Sequence, residues 1–271
     1  MTESSFQDLG NVQRTMVIPL FARAKESLRA NPIVLDKRAG EILAEINYDT
    51  AELEKQSDSL QVVACVAANI FDRWTKQFLA EHPDGTIVEI GSGLDTRFER
   101  LDNGRAQWFD IDLPDSIAVR RQFFEEMPRR RMIAGSILEE GWIEEVKSTH
   151  PTAILFVAEG VLFYFKEEDV KTLYGLIANH FPGSRFAHDS CVKGVAEKSG
   201  GLKFCQVAGA RFQWGIDDIH EVEQWDPRYK VVEVDSVLNH YRSRYPIFVR
   251  FFTWLIPNMR RVFTTNLVKL G

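Results

Sequence analysis

The chain has 271 residues, which is long enough for one large domain with a substantial core. Its 39 acidic and 33 basic residues give a net charge of −6, which disfavours a nucleic-acid partner because phosphate binding depends on a basic face. The three cysteines, Cys65, Cys191 and Cys205, form no C-x-x-C pair, so neither a disulfide framework nor a zinc ribbon is expected.

Two segments bear on location. The start, MTESSFQDLG, lacks the basic and then apolar layout of a signal peptide. The late stretch YPIFVRFFTWLIP, at 245–257, is too short to span a membrane and contains Arg250, so it is expected to form a buried or lid-forming helix. Together they predict a cytoplasmic protein with no membrane partner.

Residues 1–83 predict an N-terminal helical cap. IPLFARAKESLRA forms one helix, which should end at Asn31-Pro32 because a residue before proline is driven out of helical geometry. A second helix runs through QVVACVAANIFDRWTKQFLAEH. Its apolar residues recur every three or four positions and so form one stripe that must pack on something.

From residue 84 to residue 190, short apolar runs alternate with helical segments. The predicted strands are TIVEIG, AQWFDID, RMIAGS, AILFVAEG and SRFAHDS. Strands separated by helices predict a parallel sheet covered on both faces, which is a doubly wound α/β, Rossmann-like domain.

The alternation stops at residues 191–228, which are expected to form a lid insertion over the carboxyl ends of the strands. Residues 229–271 add two strand-like runs, YKVVEVDSV and RVFTTNLVKL, and the second could close the edge of the sheet. The prediction is therefore one domain over 1–271, with a mostly parallel seven-stranded sheet.

The loop after the first strand, in TIVEIGSGLDTRFERLD, has the form of a nucleotide-binding turn. Gly91 and Gly93 allow a tight turn and a close approach of the backbone to a ligand. A dinucleotide-binding turn would have a third glycine where this chain has Thr96. Asp112 ends the next strand, where an acid can accept hydrogen bonds from ribose hydroxyls. The alternative is a structural turn with an acid that caps a helix.

VEIGSGLDTRFERLD, WFDIDLPDSIAVRRQFF and LFVAEGVLFYF together resemble the leucine carboxyl methyltransferase family. The similarity is greatest to its small-molecule branch, typified by tetracenomycin polyketide O-methyltransferases, and it covers nearly the whole chain. It implies a class I methyltransferase that uses S-adenosylmethionine. It also implies roles for six residues around that cofactor: Gly91 and Gly93 at the methionine part, Asp112 at the ribose, Ser136 and Ile137 at the adenine, and Glu159 at the ammonium.

One position departs from the family pattern. Family members usually carry an arginine near CVAAN that pairs with the methionine carboxylate, and this chain has Ala67 and Ala68 there. Arg23 is the candidate to replace it. The alternative for Arg23 is a surface pair with Glu26, three residues along the same helix.

The methyl acceptor is expected to be an oxygen, because Glu159-Gly160-Val161 is not the Asn/Asp-Pro-Pro-aromatic signature of amino methyltransferases. His188 and Asp189 are the candidate general bases, with a hydrogen-bonded strand-end residue as the alternative for His188. Tyr164, Phe212 and Trp214 are the candidate acceptor-binding residues, and the two in the insertion could equally be lid core.

The leading hypothesis is therefore O- or carboxyl-methylation of a small metabolite in secondary metabolism. Methylation of a protein C-terminus, a nicotinamide-dependent oxidoreductase, and a silent binding protein with Ala67 as its evidence remain as alternatives. HEVEQ at 220–224 has Gln224 where a zincin helix has its second histidine, so no metal site is expected.

Overall fold

The computed structural model describes residues 13–46, 51–54, 58–202, 205–206 and 210–271. The strands are β1 (Thr86–Ile90), β2 (Gln107–Asp112), β3 (Arg130–Ala134), β4 (Ile154–Ala158), β5 (Ser184–Cys191), β6 (Tyr229–Ser236) and β7 (Phe263–Leu270). The helices include α1 (Val17–Ser27), α2 (Lys37–Glu45), α3 (Ala51–Glu54), α4 (Asp58–Glu81), α5 (Arg97–Leu101), α6 (Pro114–Arg120), α7 (Gly141–Lys147), α8 (Glu167–His180), α9 (Lys193–Lys198) and α10 (Ile247–Leu255).

All seven strands belong to one sheet, in the order β3-β2-β1-β4-β5-β7-β6. Every pairing is parallel except those of β7, which runs antiparallel to both neighbours. Successive residues of β1 enter different cores, since Ile87 packs on one side of the sheet and Val88 on the other. The predicted doubly wound, mostly parallel sheet is confirmed.

The sequence-based placement of the last strand at the edge is wrong. β7 pairs with β5 on one side and with β6 on the other, so β6 is the edge strand. The side chains explain the order, because Leu267 and Val268 of β7 are buried in the two different cores. Val232 and Val234 of β6 are exposed, as an edge position permits.

The N-terminal helices hold the loop that follows β1. α4 is the helix predicted over 61–82, and its Phe71 and Trp74 pack against the sheet. In front of it, Val17 and Leu20 of α1 share a hydrophobic cluster with Leu94 of that loop. These helices therefore form one wall of the space above the carboxyl ends of the strands. The division of the chain into cap, core, insertion and C-terminal segment stays a prediction.

Helix α10 corresponds to the late apolar stretch, which was expected to be buried or to form a lid; burial is wrong, and the lid alternative stays a prediction. Only Thr253 of this helix is fully buried, whereas Phe248, Phe251 and Trp254 are exposed. An apolar run thus made a helix here without entering the core. In the part of the chain that the structure describes, no helix combines the length and apolar character needed to cross a membrane.

Candidate active site

The loop between β1 and α5 turns back on itself through its two glycines. Gly91 has φ +63° and Gly93 has φ +42°, values in the left-handed region that favours glycine. A Cβ on Gly91 would lie 2.5 Å from Cγ2 of Val161, and a Cβ on Gly93 would lie 3.1 Å from Cβ of Met16. The loop is therefore packed between the end of β4 and the N-terminal wall, and glycine is required for that packing.

Asp112, at the end of β2, is bonded to this loop. Its Oδ2 accepts a hydrogen bond from the Gly93 backbone N–H at 2.7 Å, and its Oδ1 accepts one from the Leu113 N–H at 2.7 Å. Burial raises the pKa of this carboxyl above its usual range. Each oxygen keeps a second lone pair, so the carboxylate orders the loop and can still accept from a ligand.

A cavity of about 810 Å³ opens above the carboxyl ends of β1, β2, β4 and β5. Its size lies within the range of about 300–1,000 Å³ typical of ligand sites. The structure brings ten of the sequence-predicted site residues to its wall: Arg23, Gly91, Gly93, Asp112, Ser136, Ile137, Glu159, Tyr164, Asp189 and Phe212. Two others, His188 and Trp214, are not in the wall.

The charges of the cavity wall are mostly negative. Four carboxylates line it, those of Asp95, Asp112, Glu159 and Asp189. Arg23 is the single guanidinium or ammonium group in the wall among the residues that the structure describes. Such a wall suits a ligand that carries positive charge.

Arg23 is buried, and the alternative of a surface pair with Glu26 is wrong. Its Nε donates to Asp36 Oδ2 at 2.8 Å and its Nη2 donates to the Leu94 carbonyl oxygen at 3.2 Å. Nη1 lies 3.7 Å from Asp95 Oδ2, which is longer than a hydrogen bond. Glu26 instead pairs with Arg244, at 2.6 Å. Arg23 thus ties α1 to the loop and presents one nitrogen near the cavity.

The sequence analysis missed a buried charge network centred on Arg97. This guanidinium bonds to Asp72 at 3.0 Å, to Glu89 at 2.7 Å and to Glu159 at 2.5 Å. It also lies 3.7 Å from Asp95, so four carboxylates hold it and its pKa is well above the usual range. The signal was present in the sequence, because Asp95-Thr96-Arg97 follows the glycine turn directly.

Thr96, at the position of the third glycine, is part of the same network. Its hydroxyl donates to Asp36 Oδ2 at 2.5 Å and accepts from Arg100 Nη1 at 2.5 Å. The side chain that distinguishes this turn from a dinucleotide-binding turn therefore links the loop to the N-terminal helices. A glycine there would lose both hydrogen bonds.

Glu159 and Asp189 stand at the ends of adjacent strands and face the cavity together. Both oxygens of Asp189 accept from the Gly160 backbone N–H, at 3.0 Å each. Burial and the neighbouring Glu159 carboxylate raise the pKa of Asp189 to about 8. Near neutral pH this group exists in both protonation states, as a proton-transfer residue requires.

His188 points away from the cavity, so the structure disfavours it as the base. It is fully buried, and its Nε2 lies 2.5 Å from the Tyr174 hydroxyl while Nδ1 lies 3.0 Å from the Asp189 carbonyl oxygen. Because a carbonyl can only accept, Nδ1 carries the proton and Nε2 accepts from tyrosine. Burial lowers the pKa of His188 to about 4, so it is neutral. The geometry matches the alternative reading of a hydrogen-bonded strand-end residue.

Trp214 does not line the cavity either, and the structure does not support its predicted role in acceptor binding. It lies in the core beneath the sheet, with its ring centroid 5.9 Å from that of His188. Trp225, the other tryptophan of the insertion, packs on Tyr174 at 5.5 Å. Both side chains pack in the core on one face of the sheet, which is neither the cavity wall nor a separate core of the insertion.

The cavity has a separate aromatic end. Phe212 stacks on Phe163 with ring centroids 4.7 Å apart, and Tyr164 meets Phe212 edge-on at 5.6 Å. Phe263, at the start of β7, meets Phe163 edge-on at 6.3 Å. The sequence analysis named neither Phe163 nor Phe263. Phe263 could not be foreseen at the cavity because it depends on the strand order that places β7 beside β5.

The sequence profile of the family described as leucine carboxyl methyltransferase matches residues 16–178. The chain belongs to this family. It is 30% identical over 232 residues to the tetracenomycin polyketide synthesis O-methyltransferase TcmP of Streptomyces glaucescens, with 85% of each chain covered. It is also 30% identical over 262 residues to the S-adenosyl-L-methionine-dependent methyltransferase dpfgK of Gibberella zeae, with 86% of this chain and 85% of the relative covered. These findings confirm the resemblance drawn from the motifs.

A solved structure shows the same fold. A DUF574-family protein from Streptomyces avermitilis superposes with a TM-score of 0.57 at 12% identity, covering 93% of this chain and 97% of that one. Membership of the leucine carboxyl methyltransferase family, together with the sheet order, makes this chain an S-adenosylmethionine-dependent methyltransferase.

The residues of the cavity fit S-adenosylmethionine. The cofactor carries a sulfonium and an ammonium, and four carboxylates in the wall offer compensation for them. Ser92 Oγ lies in the wall, buried and without a hydrogen-bond partner among the described residues, so a polar group is available to a ligand there. The turn at Gly91 and Gly93 leaves backbone rather than side chain at the cavity surface.

Proposed function

We propose that this methyltransferase moves the methyl group to an oxygen of a small metabolite, in secondary metabolism. The observation that carries the proposal is that one cavity has two ends of different chemistry. One end has the glycine turn and the carboxylates, and the other has the aromatic rings of Phe163, Tyr164 and Phe212. The name of the Streptomyces relative, which refers to tetracenomycin polyketide synthesis, supports a polyketide as acceptor.

At the carboxylate end, the roles implied by the resemblance stay proposals for individual residues. Gly91 and Gly93 would lie against the methionine part of the cofactor, and Asp112 would accept from the ribose hydroxyls. Ser136 and Ile137 would frame the adenine. Glu159, oriented by Arg97, would face the ammonium. Arg23, which lies in the cavity wall, would meet the methionine carboxylate.

The bound cofactor supplies a methyl group on a sulfonium, which is a good leaving group. The work of the protein is then alignment and proton handling. Holding the acceptor oxygen near ~3 Å from the methyl carbon, in line with the bond that breaks, contributes about 7–11 kcal/mol by positioning alone. In this proposal the aromatic end holds a flat acceptor and excludes water, while Asp189 takes the hydroxyl proton on one of its carboxylate oxygens.

The charge of the wall favours a hydroxyl over a carboxylate as the acceptor group. Arg23 is the single cationic side chain in the described wall, and its Nε is already bonded to Asp36. A carboxylate placed among four other carboxylates would lack a partner, and burying an unpaired charge is expensive. A neutral hydroxyl needs a base, and Asp189 stands where one is required.

The other readings of the sequence have less support. The aromatic end suits a small flat molecule better than the C-terminus of a protein chain, which needs an open polar channel. For a nicotinamide oxidoreductase, the third glycine would be expected where Thr96 is bonded to Asp36 and Arg100.

The proposal is tested by calorimetry followed by an acceptor panel. Purified protein should bind S-adenosylhomocysteine and not NAD. It should then transfer labelled methyl groups to polycyclic phenols, and not to matched compounds in which the phenol is replaced by a carboxylate. Binding of NAD without S-adenosylhomocysteine would end the methyltransferase reading. Faster methylation of the carboxylates would overturn the choice of a hydroxyl.

A further inference from the structure

Helix α10 presents most of its apolar surface to solvent. The exposed fraction is 79% for Ile247, 65% for Trp254 and 54% for Phe251. The aromatic side chains are contiguous, since the ring of Phe251 lies 5.9 Å from that of Phe252 and 6.2 Å from that of Trp254. An exposed apolar patch of this kind marks a surface that contacts something other than water.

The segment around this helix is cationic in a chain that is otherwise acidic. No aspartate or glutamate follows Asp235 in the sequence, whereas six of the 33 lysines and arginines do. In the described part of the chain, no acidic side chain pairs with Arg242, Arg250 or Arg261. The apolar helix therefore carries unneutralised positive charge on and beside it.

The helix also lies close in sequence to the aromatic end of the cavity. The segment leaves the cavity wall at Val237 and returns to it at Phe263, which packs on Phe163. Within the segment, Val249 and Thr253 are the helix residues that face the body of the protein. The rest of the helix projects outward from a point beside the cavity.

We propose that α10, which carries Arg250 and is flanked by Arg242 and Arg261, docks this protein onto the surface of an anionic lipid bilayer. A helix rich in Phe, Trp and Leu with arginines around it is the composition that lies in the membrane interface. The apolar side chains enter the boundary of the acyl chains, and the long arginine side chains reach the phosphate groups. This departs from the expectation, drawn from the sequence, that no membrane is a partner.

A second copy of the chain is a poorer occupant of this surface. A symmetric dimer brings the same patch of both subunits together, so the arginines of one helix would face those of the other. An anionic surface instead neutralises them. The apolar face alone fits both occupants, and the charge distinguishes them.

The proposal is tested by co-sedimentation of the full chain with phosphatidylcholine vesicles, with and without phosphatidylglycerol. Binding is expected only to the vesicles that contain phosphatidylglycerol, and it should weaken as salt is raised. The emission of Trp254 should shift to the blue on binding. Four of the other five tryptophans are already buried, and Trp254→Phe should remove most of the shift without removing binding.

The variant pair that isolates the helix is Phe251→Glu and Val232→Glu. Val232 lies on the edge strand β6 and is 57% exposed, so the control adds the same charge at an equally exposed apolar site. Phe251→Glu should weaken vesicle binding on the order of tenfold or more, by removing buried apolar area and adding repulsion. Val232→Glu should leave binding within about twofold, and S-adenosylhomocysteine binding should report that both variants are folded.

Three results overturn the proposal. One is a dimer in analytical ultracentrifugation that Phe251→Glu dissociates, with no binding to either kind of vesicle, since a second copy would then cover the helix. Another is equal binding to neutral and anionic vesicles, which would remove the role of the arginines. The last is a monomeric protein that binds neither the neutral nor the anionic vesicles.

Discussion

Two neighbouring residues, His188 and Asp189, show what a sequence can and cannot decide at the scale of one side chain. The sequence placed both at the end of β5, and both are there. Successive residues of a strand point to opposite faces, so only one of them can face the cavity. Which one does depends on how the sheet is covered, and the structure assigns the cavity to Asp189 and the Tyr174 side to His188.

The role proposed for Asp189 predicts the pH dependence of the reaction. Its carboxyl has a pKa of about 8, so the base form increases as pH rises through that value. The kcat/KM for a phenol acceptor should therefore climb with pH up to about 8 and then level off. Asp189→Asn should lower kcat by about 10²–10⁴-fold, the range for loss of a general base, and should remove this limb. A variant that keeps the limb would assign it to the acceptor's own hydroxyl.

The buried His188 predicts a pH dependence of stability instead. Its pKa falls from 6.5 to about 4 on folding, so protonation favours the unfolded chain. The stabilising contribution is present above pH 6.5 and is lost as pH falls toward about 4, up to roughly 3 kcal/mol. Urea unfolding at pH 7 and pH 5 should show a smaller difference for His188→Gln than for the parent. An equal difference would place the titration elsewhere.

Substitutions at Arg23 and Ala67 test how the methionine carboxylate is held. Arg23→Met should weaken S-adenosylmethionine binding by about tenfold, equivalent to ~1.4 kcal/mol, and should spare adenosine, which lacks the amino-acid tail. Asp36 would keep its hydrogen bonds from Thr96 and Arg100. Ala67 lies in the cavity wall, in the stretch where the resemblance implies the family's arginine, so adding Ala67→Arg should restore affinity. Equal losses for adenosine and the full cofactor would show that Arg23 only supports the loop.

At the scale of the elements, local sequence patterns predicted where the strands lie in the chain, but not which strands pair with each other in the sheet. The strands begin and end within a few residues of the predicted runs, because a buried parallel strand is a short apolar run between turns. The place of β7 depends on pairing with strands far away in sequence, which no local pattern records. Helix α10 was misjudged for a related reason, since apolar composition does not say what covers a helix.

The loop between β1 and α5 is held by charge as well as by glycine, and Arg97 is its centre. Removing this guanidinium leaves Glu89 and Glu159 buried without their partner, which typically costs about 3–5 kcal/mol, whereas Asp72 keeps its pair with Arg100. Arg97→Met should therefore lower the free energy of unfolding by about that amount. Arg105 pairs with Asp84 on the exposed surface, so Arg105→Met serves as the control and should change little. If both substitutions lowered the free energy of unfolding by similar amounts, water would be solvating the carboxylates that lose Arg97.

At the scale of the whole molecule, the N-terminal helices and the cofactor loop behave as one unit. Val17 and Leu20 pack on Leu94, and Arg23 and Asp36 connect the same helices to the loop through Thr96. The sequence indicated these helices, and the resemblance suggested that they cover the cofactor. The buried contacts that join them to the loop became visible only when Arg23 was found inside the protein.

Because the N-terminal helices and the cofactor loop behave as one unit, we can predict where hydrogen exchange slows when ligand binds. At a hundred times its Kd, a ligand stabilises the native state by about 2.7 kcal/mol against any opening that destroys its site. Opening of α1 or of residues 91–97 would break the cavity wall, so S-adenosylhomocysteine should slow exchange there. Helix α10 has few contacts with the body and can open without disturbing the cofactor end, so its exchange should not change. Mass spectrometry of hydrogen exchange, with and without ligand, reports on the loop, α1 and α10 of the same protein.

Two results would contradict this prediction. Protection of the loop without α1 would mean that the N-terminal helices open independently of the site. Slowed exchange in α10 would mean that this helix closes over the cavity rather than facing outward.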